Sequence, residues 1–205
     1  FYGEHVRDDT GKILEYYRVE KADSIIVIPE QRIRPDKSPA AGEERQDSSE
    51  GAGTTDRRRD EEHTVLYTPK DQYRPGLGRA TLDFPGGRVD ESAGLLASAA
   101  RILERELGIS AVPSPSPSAA HETASAHSAD AGVELLSSRG FPLNSSFSDQ
   151  ELYFALARIR PEVRISQEYL GRSWTVDRDG IESLLAELEC AQCRLALLEY
   201  LRIKE

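Results

Sequence analysis

At 205 residues with a formal net charge of -10, the chain is long enough for one domain that buries a real core and still carries insertions. That acidity lacks the basic footprint nucleic-acid binding needs, so a nucleic-acid partner is not expected. No apolar run is long enough to span a bilayer and no signal-peptide pattern is visible, so no membrane partner is expected either. Two cysteines are too few for a disulfide framework, so the expected location is reducing: the cytoplasm, or the matrix or stroma of an organelle, and not the secreted space. The chain begins at Phe1 and contains no Met, which is compatible with a removed N-terminal address segment.

Residues 1–20 read as two strands joined by a hairpin turn at Asp9, Thr10 and Gly11. Ile25, Ile26, Val27 and Ile28 follow as a continuous β-branched run, the mark of an inner strand covered on both faces. Residues 34–63 are polar and charged with no hydrophobic period, and are expected to be a disordered insertion. Arg57, Arg58 and Arg59 sit there, followed at once by Asp60, Glu61 and Glu62, so the run reads as a solvated loop. Val65 to Tyr67 and Ala80 to Phe84 predict two more strands. Residues 111–132 alternate Pro, Ser and Ala and read as a second, linker-like insertion. His121 and His127 lie in it without a metal-ligand frame. Apolar stripes predict a C-terminal helix over 181–203. Cys190 and Cys193 read as two small residues on that helix, because a zinc site needs four ligands and no second paired motif is present.

The stretch 84–109 organises the rest. Pro85, Gly86 and Gly87 make a turn, Ser92 is placed to cap a helix, and Gly108 stops it. Helical spacing puts Leu96, Ala99, Ala100, Leu103 and Leu107 on a core stripe. It puts Ile102, Arg105 and Glu106 together on another face, with Leu95 and Ser98 one or two turns earlier.

This stretch resembles the Nudix box: Gly, five residues, Glu, seven residues, then Arg-Glu-aliphatic-x-Glu-Glu-x-Gly-aliphatic. Counting from Gly87, Arg101, Leu103, Glu106, Gly108 and Ile109 fall in place without a gap, while Ala93, Ile102 and Arg105 stand where the pattern has glutamates. Gln72-Tyr73-Arg74-Pro75 and the approach Leu82-Asp83-Phe84-Pro85 are similar to runs of the ADP-ribose pyrophosphatase branch, as is Phe147-Ser148-Asp149 followed by Leu156-Ala157-Arg158. The resemblance implies one Nudix domain over 1–205, an α/β fold built as an α/β/α sandwich around a mixed sheet, with an N-terminal antiparallel β extension that takes part in dimers.

In that frame the candidate catalytic residues are Glu106, Arg101 and Glu151, with Glu106 as the surviving metal ligand, helped in an active enzyme by Glu91 or Asp90 in the turn and by Asp83. The branch's catalytic Glu falls on Gln150, whose amide can orient water but cannot take its proton; Glu151 substitutes only if the loop shifts by one residue. Candidate substrate-binding residues are Arg74, Gly86, Gly87 and Gln150. Arg74 is either a phosphate clamp or half of a structural ion pair.

Two functions follow from the resemblance. One is a catalytically inactive or weak homologue serving as a binding or assembly subunit, with no metal cofactor. Its partners would be a nucleoside diphosphate ligand, a protein or larger assembly, or a second copy through the N-terminal sheet. There Leu95 and Ile102 would leave an apolar patch where metals sit in active relatives. The other is a hydrolase that uses Mg²⁺ or Mn²⁺ to cleave ADP-ribose or a related nucleoside diphosphate derivative. One carboxylate beside an arginine favours the first.

Overall fold

The computed structural model describes residues 2–33, 62–114 and 129–204. The chain opens with β1 (Tyr2–Arg7) and β2 (Ile13–Arg18), antiparallel, turned at Asp8 to Gly11 as the sequence predicts. Asp8 closes that turn by accepting from the amides of Thr10 and Lys12, both at 2.9 Å.

A mixed sheet follows, built from β3 (Ser24–Ile33), β4 (His63–Pro69), β7 (Gly86–Arg88), β8 (Ala111–Pro113), β9 (Ala131–Leu135), β10 (Phe141–Pro142), β11 (Glu151–Ile159) and β12 (Leu170–Thr175). The main path runs β12-β4-β3-β11-β9-β8; β7 adds to β3 and β10 to β11. Strand β11 is parallel to β3 and β8 to β9, and the other pairs are antiparallel. A separate hairpin, β5 (Gln72–Arg74) with β6 (Arg79–Thr81), lies between β4 and β7 in the chain.

Helix α1 (Leu95–Leu107) covers one face of the sheet; α2 (Arg178–Glu187) and α3 (Ala191–Arg202) cover the other. Strand alternation sorts the core into two. Ile25, Val27, Ala155 and Ala157 pack under α1, whereas Ile26, Ile28, Phe154 and Leu156 pack under α2 and α3. The architecture is thus the expected α/β/α sandwich with an antiparallel N-terminal strand pair. Among the described residues no helix is long and apolar enough to cross a membrane.

Several sequence expectations change in detail. Strand β6 is confined to Arg79–Thr81, so Leu82 to Phe84 leave the ladder and enter the core as irregular chain. Most of the 34–63 expectation, with Arg57 to Arg59, lies outside the described residues, but His63 opens β4. The 111–132 segment begins and ends in strands, since β8 and Ala131 of β9 pair in parallel; its middle, with His121 and His127, lies outside the described residues. The single helix expected over 181–203 is two, broken at Leu188 and Cys190, both in extended conformation. No Gly or Pro marks this break. The Arg194 side chain stabilises it, Nε donating to the Leu188 carbonyl at 2.6 Å and Nη2 to that of Leu185 at 2.5 Å. Those are carbonyls that the end of α2 leaves without helical partners.

Between Leu170 and Arg172 the pairing of β12 with β4 shifts register, a bulge occupied by Gly171. A β-carbon there would lie 2.1 Å from the Pro69 carbonyl oxygen, which backbone cannot yield cheaply. Gly171→Ala is expected to destabilise the fold by about 1–3 kcal/mol in denaturant unfolding, in the range for overpacking. Gly76→Ala, with open space at its β-carbon, is the control that should be near neutral.

Candidate functional site

The Pro85-Gly86-Gly87 turn becomes β7, and Gly86 pairs with Ile26 while Gly87 pairs with Ile25. The loop after it closes on Asp90, whose carbonyl accepts from Ala93 N at 3.0 Å and Gly94 N at 2.8 Å. Ser92 therefore does not cap the helix as expected. Gly94 takes the N-cap position, at φ 82, and the helix starts at Leu95, two residues later than a Ser92 cap would start it. Ser92 Oγ instead donates to Asp90 Oδ1 at 2.6 Å, and Arg101 Nη2 reaches Asp90 Oδ2 at 2.9 Å. Arg101 thus ties α1 to the loop before it. The Ser92 hydroxyl first, and Arg101 after it, hold the Asp90 carboxyl down at about 2. At the other end Gly108 ends the helix in the left-handed region at φ 66, as the sequence predicts.

On the face where the resemblance places carboxylates, the side chains do something else. Ile102 is 3 % exposed and belongs to the core under α1, which corrects the expectation of an apolar patch left open by Leu95 and Ile102. Its burial has a simple cause. A β-carbon on Gly87 would meet Ile102 Cδ1 at 3.2 Å and Arg105 Nη2 at 3.3 Å, so these two side chains already fill the space above the glycine turn. Arg105 Nη2 donates to the Gly86 carbonyl at 3.2 Å and to Glu106 Oε1. Glu106 Oε2 accepts from Gln72 Nε2 at 3.0 Å and Gly86 N at 3.2 Å. The one surviving carboxylate is therefore neutralised by a guanidinium and engaged by three of the chain's own donors. Of its expected helpers, Asp90 is committed to Ser92 and Arg101 and Asp83 to Arg74, while Glu91 lies exposed in the turn ahead of the helix. Ala93 lies in the exposed turn ahead of the helix. Mg²⁺ and Mn²⁺ want several oxygens in octahedral order, and this set does not fit them.

The other side of the glycine turn opens into a cavity of about 640 Å³, lined in part by Arg74, Asp83, Gly86, Gly87, Cys190 and Cys193. Arg74, Gly86 and Gly87 of the predicted substrate-binding set meet here. Arg74 gives Nε (2.7 Å) and Nη2 to Asp83 Oδ2, so of its two readings the ion pair is the one formed. Asp83 is 2 % exposed; Thr81 Oγ1 also donates to Oδ2 at 3.1 Å, and the Cys193 thiol points at Oδ1 at 3.8 Å. Contact with Cys193 draws the Cys190 thiol below the ordinary thiol range, while the same contact and burial push Cys193 up. Sequence reasoning missed this grouping because Asp83 and Cys193 are 110 residues apart.

Gln150 directly precedes β11 and Glu151 opens it; neither lines the cavity, although Gln150 bonds Ser24, which does. Gln150 is buried and its Nε2 donates to the Ala22 carbonyl and to Ser24 Oγ, each at 2.8 Å. Glu151 Oε2 accepts from Tyr153 at 2.6 Å, a bond that pushes the Tyr153 phenol up to about 12. The two side chains have different partners, so Glu151 does not take the place of Gln150.

An ADP compounds hydrolase of known crystal structure superposes with a TM-score of 0.55 at 14% identity, over 98% of this chain and 83% of that one. In fold the chain is similar to that hydrolase, an α/β/α architecture of the kind the resemblance in the sequence implies. A NUDIX hydrolase from Nitrosomonas europaea matches with a TM-score of 0.45 at 11% identity, over 90% of each chain. No protein-family model and no curated protein matches the sequence. The Nudix frame is thus carried by backbone and spacing, and chemistry has to be read from the residues present.

The Asp90 tie yields a direct test of the loop–helix junction. A depressed carboxylate contributes stability that is present above its unfolded value, near 3.8, and lost as pH falls through about 2. A carbon-13 NMR titration should find the Asp90 midpoint near 2, and Ser92→Ala should raise it more than Arg101→Gln does.

Proposed function

We propose that this Nudix-fold protein acts by binding and not by metal-dependent hydrolysis, holding a nucleoside diphosphate derivative of the ADP-ribose class in the cavity beside Gly86 and Gly87. The observation that supports this reading is the closure of the box face. Ile102 and Arg105 fill the space above the glycine turn, and Arg105 bridges the Gly86 carbonyl and Glu106 as a permanent cation. A phosphoanhydride broken through a metal needs that ion held between such oxygens, and a guanidinium already sits between them. The ligand class is taken from the structural neighbour, an ADP compounds hydrolase. The mostly apolar cavity with a few convergent polar groups is of a size that suits such a ligand.

A binding module also needs a way to assemble. The β1–β2 hairpin exposes Tyr2, Val6, Ile13, Tyr16 and Tyr17, which supports association of two copies through this sheet.

The test is a hydrolysis and binding assay on ADP-ribose and related nucleotides with Mg²⁺ or Mn²⁺. Calorimetry is expected to show nucleotide binding without turnover, and no saturable Mg²⁺ binding below about 1 mM. Metal-dependent turnover that disappears on Glu106→Gln would overturn the reading and make the protein an enzyme. The paired change Ile102→Glu with Arg105→Glu should create measurable Mg²⁺ affinity at a cost in melting temperature, because residue 102 is buried.

A further inference from the structure

We propose that Asp83, Cys190 and Cys193 form a metal site for a borderline-soft divalent cation, zinc in the first place, with an open fourth position facing the cavity. Among the described residues these three are the group of His, Cys, Asp and Glu whose ligand atoms come close enough to hold an ion; all lie within 4.8 Å of one another. Tetrahedral zinc with bonds of about 2.3 Å to sulfur and about 2.0 Å to oxygen sets its ligand atoms roughly 3.5–3.8 Å apart. Cys193 Sγ and Asp83 Oδ1 already stand at 3.8 Å. The half-buried Cys190 has to move inward by no more than about 1 Å, a side-chain adjustment at a helix start.

The surroundings suit a cation there better than they suit an empty pair of thiols. Arg74 and Thr81 both bond Oδ2 of Asp83, which fixes the carboxylate and turns Oδ1 toward the sulfurs, as outer partners of metal ligands do. Cys190 is the N-cap of α3 and Cys193 lies in its first turn, so both sulfurs sit at the positive end of the helix dipole. Two thiolates, one carboxylate, the Arg74 guanidinium and a divalent ion sum to zero, so a buried ion leaves no uncompensated charge. Three protein ligands with an open position describe zinc sites that keep a place for water or a ligand oxygen. Here that place is the cavity, because all three residues line it. The site stands whether or not the cavity takes a nucleotide.

Cobalt(II) and zinc titrations of the reduced full-length chain test it. Cobalt is expected to give one equivalent of a near-ultraviolet thiolate-to-metal band and tetrahedral visible bands, displaced by zinc with sub-micromolar affinity. Cys190→Ser and Cys193→Ser should each abolish the band. Asp83→Asn should weaken zinc at least tenfold while leaving two-thiolate absorbance. Should Asp83→Asn fail to fold, Cys190→Ser, at a half-exposed position, still decides the matter. Zinc binding that survives both cysteine changes belongs to other ligands, such as the histidines, and overturns the proposal. So does a reduced protein whose two thiols react with a thiol reagent at rates unchanged by one equivalent of zinc.

Discussion

Strand β3 and strand β11 lie side by side in parallel, from Leu152 against Ser24 to Ile159 against Gln31, and the remaining elements are placed by that pair. Parallel strands of this kind need both faces covered, and these two send alternate residues into two separate cores. On its other edge β3 is shared. Its first residues, Ser24 to Ile26, pair with β7, while Glu30 to Ile33 pair with β4. The glycine turn is therefore a short strand slotted beside the start of β3, locked by Val27 N donating to the Pro85 carbonyl at 2.8 Å. Once that slot is filled, α1 has one place to lie and its residues 102 and 105 have one place to point.

What they carry then decides what the junction can do. A carboxylate at 102 would have to be held facing the turn by an ion; an isoleucine packs there unaided, and Gly87 leaves it the room. Arg105 works in the same direction. A divalent ion about 4 Å from a guanidinium would be repelled by several kcal/mol at an effective dielectric near 20, before solvent screening of this half-exposed side chain. The hairpin β5–β6 adds to the closure, because Gln72 reaches Glu106 and Arg74 reaches Asp83 from one short strand. The Gln-Tyr-Arg run thus ties down both acids that flank the glycine turn.

Much of this was legible from local pattern. The Asp9 hairpin, the inner strand at Ile25–Ile28 and the left-handed stop at Gly108 each rest on a signal within a few residues, and each stands where the pattern put it. Pattern failed where a distant partner set the outcome. The face shared by Ile102, Arg105 and Glu106 was right by spacing, yet spacing could not show that Gly87 receives Ile102. The start of α1 turned on two amides folding onto the Asp90 carbonyl. The break before α3 depends on Arg194 reaching back to carbonyls of α2, which leaves no Gly or Pro to see. Cys190 and Cys193 read as small helix residues because their third neighbour, Asp83, arrives through the tertiary fold.

The two sides of the glycine turn are consequently unequal in charge balance. On the α1 side, Glu106 is matched by a fixed cation and by amide donors, so nothing further is required there. On the α3 side, Arg74 balances Asp83, and two thiols at a helix N-terminus stand beside that pair. On one face Arg105 bonds the Gly86 carbonyl and Glu106, and on the other three ligand-type side chains converge on the cavity that the glycine turn lines. The α1 side of β7 is thus filled by paired side chains, and the α3 side is the one that opens to the cavity.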